Sequence, residues 1–306
     1  MKKKILCSPL ASRIFPVNAK KLLFPQKKKS KRLINKHVFI CILIFISICS
    51  LAVKSSVGDS ANSNQAGKKI SNSVAMEFVY VPPGSFLRGS PPSEPGRESD
   101  ENQQRVTLEN GFYMQTTEVT QEQWKAIMGV LPLYIIKCNE KCPVERVSWD
   151  DAQEFINKLN KIEEPHTYRL PTEAEWECAS RAGSKTSFAN GEISVLTCDD
   201  DTNLSELGWY CGNSRNFPHH PVAQKNPNAW GLYDMHGSVW EWCSDWYGSY
   251  SSESATNPVG PSDGAERVMR GGGIADNARS CRSANRHSLR ADIEFDNIGL
   301  RVVRSP

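Results

Sequence analysis

The stretch Asn228-Ala229-Trp230-Gly231-Leu232-Tyr233-Asp234-Met235-His236-Gly237-Ser238-Val239-Trp240-Glu241-Trp242 decides how the chain is read. Asp234 and Glu241 stand at the two ends of a Gly-containing turn. Their hard oxygens, with main-chain carbonyls between them, form a pattern that suits Ca²⁺. The same spacing also fits turn-forming surface acids. Around this stretch, residues 184 to 306 are rich in Gly, Pro, Asn and Asp, with short apolar pieces and no persistent period. A long irregular region rich in tryptophan needs disulfides or bound metal to hold it. Trp240, Trp242 and Trp246 either line a ligand groove or form the core of that region. His219-His220 offers metal ligands or simply an exposed loop pair.

Toward the N-terminus the periods become regular. Val74 to Val81 reads as a strand, and Pro82-Pro83-Gly84-Ser85 turns it into a second, Phe86 to Gly89. Ser90 to Gln104 is a charged, proline-bearing loop, followed by short strands at Arg105 to Leu108 and Gly111 to Gln115. Three helices announce their starts. Thr120-Gln121-Glu122-Gln123 is a capping box before a helix that stops at Gly129. Ser148-Trp149-Asp150-Asp151 opens a second, with Ala152, Phe155, Ile156 and Leu159 at helical spacing. Thr172-Glu173-Ala174-Glu175 opens a third, ending at Arg181-Ala182-Gly183.

Charge divides the chain. Residues 1–36 carry twelve Lys or Arg and no acid. Set aside from the totals of 37 basic and 34 acidic residues, they leave 25 against 34, a net charge of −9 for residues 37–306. A nucleic-acid partner is therefore not expected, since phosphate neutralisation needs a basic surface. Segment 37–53 holds the charge-free run Val38 to Val53, which after a cationic flank reads as a signal peptide or a short signal anchor. Residues 54–73 read as a flexible linker and 74–306 as one folded domain. The expected location is extracytoplasmic, periplasmic or secreted, with membrane contact only through the N-terminal segment. In an oxidising compartment seven cysteines remain beyond the leader. Cys138 with Cys142, Cys198 with Cys211, and Cys243 with Cys281 are the expected bridges, leaving Cys178 as the odd, buried thiol.

Several segments in order resemble the formylglycine-generating, or sulfatase-modifying factor, family. They are Phe78 to Phe86, Thr117 to Trp124, Pro143 to Trp149, Tyr168 to Glu177, the Asn228 to Trp242 stretch, Arg267 to Gly273, and Asn297 to Arg301. The resemblance implies an α+β domain of the elaborated C-type-lectin kind, with little regular secondary structure and bound calcium. It implies calcium ligands at the side chains of Asp234 and Glu241 and the carbonyls of Gly237 and Val239. The family's oxidation of a substrate cysteine relies on two cysteines binding copper(I), in a stretch reading Gly-Gly-Ser-x-x-Cys-His with a second Cys five residues on. Here that stretch is Gly271-Gly272-Gly273-Ile274-Ala275-Asp276-Asn277, followed by Cys281. A carboxylate is a hard ligand and a poor substitute for thiolate toward copper(I), so copper and formylglycine-generating activity are not expected.

Three functions are compatible with these residues. One is a family enzyme with altered chemistry in a cleft holding Trp240, Asp276, Asn277 and Cys281. Another is a binding module for an exported protein or small-molecule ligand, in which Arg279, Arg282, Asn285 and Arg286 meet an acidic or polar partner. The third is a structural protein that keeps only the scaffold.

Overall fold

The structure is a computed structural model that describes residues 66–135, 138–214 and 219–306. The cationic leader, the charge-free run and residues 54–65 lie outside the described residues. The described residues belong to one compact unit. Among the described residues no helix is long and apolar enough to cross a membrane.

Helices form where the local signals place them. Thr120, Ser148 and Thr172 each hold extended backbone and accept the N–H of the residue three positions on. Gln123, Asp151 and Glu175 reach back to the cap's own N–H, so all three helices open with a capping box. The first, α1 (Gln121–Met128), ends at Gly129, whose φ of 84° lies in the left-handed region. The second, α2 (Trp149–Ile162), buries Ala152, Phe155, Ile156 and Leu159 along one face. Phe155 stacks on Trp124 of α1 with centroids 5.1 Å apart. The third, α3 (Glu173–Arg181), is buried on every side. A fourth, α4 (Thr202–Leu207), capped by Asp201, lies in the half without a helical period.

Three small sheets surround these helices. One contains β1 (Lys69–Ser71), β2 (Glu77–Val81), β5 (Phe112–Gln115), β6 (Tyr168–Arg169) and β12 (Val303–Arg304), in the order β1-β2-β5-β12-β6. The last strand of the chain thus lies between β5 and β6. The linker is shorter than 54–73, because Lys69–Ser71 pairs with β2 and Ile70 packs on the core. A second sheet contains β3 (Gly84–Arg88), β4 (Gln104–Leu108) and β8 (Ala255–Thr256) in that order. The third contains β7 (Trp240–Trp246), β9 (Arg267–Arg270), β10 (His287–Leu289) and β11 (Ile298–Gly299), in the order β10-β9-β7-β11.

β7 is the partition of the molecule. Alternation along the strand sends Trp240 and Trp242 into the cluster built on α1 and α2, and Cys243 into a second cluster with Trp176 of α3. A third cluster gathers Phe188, Leu204, Leu207, Tyr210 and Cys281. This separation corrects one expected bridge. Cys138–Cys142 and Cys198–Cys211 are disulfides. Cys243 and Cys281 are free buried thiols, because they belong to different apolar clusters; Cys178 is free and buried as well.

Candidate functional site

The turn leading into β7 has unusual backbone. Asp234, Gly237 and Ser238 have φ values of 56°, 99° and 67°, so the chain curls tightly between the two acids at its ends. Glycine is required at 237, where a Cβ would stand 2.2 Å from the carbonyl oxygen of Trp209. Glu241, at the far end, is already satisfied. Arg301 reaches it through Nε at 3.0 Å and Nη2 at 2.7 Å, and the Trp176 indole N–H donates to it at 2.6 Å. Asp234 is only half satisfied: Oδ2 accepts the N–H of Ala223 at 2.7 Å, while Oδ1 is buried without a partner.

A third carboxylate, which the sequence did not single out, completes the picture. Glu118 is fully buried and neither of its oxygens has a partner. Burial, then the neighbouring charge of Asp234, pushes its carboxyl well above the usual range, against the pull of Arg301. Burial likewise lifts Asp234 to about 6. Three acids and one guanidinium thus share a buried space, and the excess negative charge calls for protons or a cation. Among the described residues no three Asp, Glu, His or Cys side chains converge tightly enough to chelate an ion unaided. The residues fit a hard cation only with carbonyls in its shell, as the curled turn allows.

The second candidate region is the turn before the short 3₁₀ segment Ala278–Cys281. Gly271 and Gly272 have φ of 101° and 75°, and a Cβ on Gly272 would fall 2.8 Å from Cys281 Sγ. The glycine backbone therefore lies directly on the sulfur. Cys281 is fully buried and its thiol is pushed well above the ordinary value by burial and by Asp276. Asp276 Oδ2 accepts from the Trp240 indole N–H at 2.8 Å and from the Gly273 N–H at 2.9 Å. Burial raises its pKa. His287 packs against the Trp240 ring at 5.4 Å between centroids. Asn277 caps the 3₁₀ turn by accepting the Ser280 N–H.

Three expected roles change. Arg282 and Arg286 do not form a binding surface: both are buried, Arg282 against Glu94 and Glu101 at 2.7 and 2.6 Å, Arg286 against Glu173 at 2.6 Å. Asn285 is buried beside them, and Arg279 pairs with Glu98 at 3.0 Å. His219 is no exposed loop residue but a buried partner of Glu145 at 2.6 Å, and His220 stacks on Trp209. Trp242 and Trp240 both belong to the core cluster, and Trp240, 7% exposed, also carries its indole N–H to Asp276.

Together these features define an α+β domain of the elaborated C-type-lectin kind. Residues 63–306 match the sulfatase-modifying factor enzyme 1-like domain, and the chain belongs to that family. It is 29% identical over 311 residues to the chaperone protein LppX of Paenibacillus barcinonensis, covering 86% of this chain and 98% of that protein. With the formylglycine-generating enzyme of Streptomyces coelicolor it shares 38% identity over 180 residues, 53% of this chain and about half (52%) of the enzyme. Among solved structures, Treponema denticola variable protein 1 superposes with a TM-score of 0.69 at 26% identity, covering 78% of this chain and 99% of that one.

Proposed function

We propose that this chain is an exported family member that binds a ligand in the Trp240–Asp276 cleft and does not oxidise cysteine with copper. The observation that supports this most is the state of Cys281. Copper(I) chemistry of the family's kind needs two thiolates facing one ion. Here the sulfur lies under Gly272 with its thiol held neutral, and the other free cysteines among the described residues, Cys178 and Cys243, sit in a different cluster. At the position of the first cysteine stands Asp276, engaged by two N–H donors. The donor set does not fit copper, and no step through it is derived.

What the cleft retains is recognition. A carboxylate fixed by an indole and a backbone amide presents an acceptor of defined direction to a polar or cationic group, with the Trp240 and His287 rings beside it for packing. The similar Paenibacillus protein is named a chaperone, which supports a binding role over a catalytic one. The basic stretch followed by the charge-free run Val38 to Val53 supports export, with an exported protein or small molecule as partner. Calcium belongs to the same reading as a structural ion: Asp234 and Glu118 would hold it with the carbonyls of Gly237 and Val239, while Glu241 would steady the turn through Arg301.

Mass spectrometry of a Cys-x-Pro-x-Arg peptide incubated with the purified protein and copper tests the catalytic half. The peptide should return unchanged; conversion of its cysteine to formylglycine would contradict the proposal.

A further inference from the structure

A cavity of about 590 Å³ lies between β3 and the C-terminal turn of α3, within the size range of small-molecule sites. None of its lining residues belongs to the Trp240–Asp276 cleft. Its walls are apolar: Phe86, Leu87, Pro91, Trp230 and the Cys178 thiol. Burial pushes that thiol up to about 12, so it offers apolar surface and not a nucleophile. β3 is an edge strand, paired with β4 alone, and its Leu87 is 47% exposed. An exposed apolar side chain on a free edge is the kind of surface proteins normally cover.

Charge singles out the occupant. Arg105 and Lys185 stand exposed on the lining, and among the described residues neither has a carboxylate partner. The third cation, Arg181, is already met by Glu177 at 2.9 Å and by the Gly89 carbonyl. No Asp or Glu lines the cavity, although residues 37–306 carry a net charge of −9. A cavity with apolar walls, two unmatched cations and no acid selects an apolar body that ends in an anion.

We propose that this cavity is a second binding site, for a small amphiphilic monoanion such as a medium-length alkyl or aryl carboxylate. Its hydrocarbon runs along the free edge of β3, against Phe86 and Trp230 on one face of the strand and Leu87 on the other, and its carboxylate is met by Arg105, which pairs across from Leu87, and by Lys185. The site stands independently of the ligand in the Trp240–Asp276 cleft.

Isothermal titration of the purified full-length protein with decanoate, decanol and decyltrimethylammonium, each below its micellar range, tests this. Decanoate should bind at one site and decanol at least about tenfold more weakly, the cost of a missing charge-assisted contact. The doubly reversed variant Arg105→Glu, Lys185→Glu should lose decanoate binding by a similar factor with its near-ultraviolet circular dichroism unchanged. Asp276→Asn, which alters only the other cleft, should leave decanoate binding intact. Equal affinity for decanoate and decanol, preference for the ammonium, or an unaffected double variant would overturn the proposal. So would failure of decanoate alongside binding of an extended acidic peptide, which would assign the groove to strand addition on β3.

Discussion

Buried charge is handled in two opposite ways in this molecule. Around α3, β9 and the late loops three buried guanidiniums each meet a carboxylate: Arg270 with Glu177 at 2.5 Å, Arg282 with Glu94 and Glu101, Arg286 with Glu173. At the turn before β7, Arg301 satisfies Glu241, but Asp234 Oδ1 and both oxygens of Glu118 are left without donors. In the first region the chain supplies its own counter-charge and so fixes the Ser90 to Gln104 loop against the late half. In the second, Arg301 is the one guanidinium among three buried acids and only the half-exposed Lys225 adds to it from Asp234's side, so protons or an ion from solution supply the remainder. A matched network fixes geometry; an unmatched one makes stability depend on pH and on cations.

Breaking a matched pair should have the largest effect. Arg301→Met leaves the buried Glu241 without its ion-pair partner beside two further acids, and chemical denaturation should register a loss of about 3–5 kcal/mol. The unmatched pair should show itself in pH. Because the folded-state pKa of Asp234 is raised from 3.8 to about 6, its proton stabilises the fold at low pH. That contribution is full below about pH 4 and is lost as pH rises to about 6, amounting to about 2–3 kcal/mol. Glu118, shifted the same way, extends the decline upward. Calcium should remove this decline, and chelator should restore it. Asp245, raised to about 7 by burial and by Glu173, keeps a decline of its own, running to higher pH than that of Asp234, which calcium does not touch. Identical melting curves with calcium and with chelator across that range would count against the ion. The smallest effect sharpens the contrast most: Glu118→Gln should raise the melting temperature of the chelated protein slightly and blunt its response to calcium. A strongly destabilised Glu118→Gln would mean that the carboxylate has a partner of another kind.

The N-terminal half was legible because its signals are local. The capping boxes at Thr120, Ser148 and Thr172 and the apolar spacing along α2 need nothing from distant residues. In the late half the decisive contacts are remote. Arg282 and Arg286 resemble surface recognition residues in sequence, and only the fold brings Glu94, Glu101 and Glu173 to them. The same remoteness misled the pairing of Cys243 with Cys281: their segments pack in one domain, yet alternation along β7 and the placement of the 3₁₀ turn send the two sulfurs into different clusters. Glu118 carries no mark at all in sequence, since its meaning comes from Asp234 and Arg301, both remote in the chain. Short α4 was hidden by its length and by the turn-rich residues around it.

Whether this scaffold still holds a place for a soft ion is decided by a copper(I) titration against a competing chelator such as bicinchoninic acid. The protein should withdraw no copper from the chelator, and Cys281→Ser should behave identically. Tight uptake of one equivalent, abolished by Cys281→Ser, would contradict it.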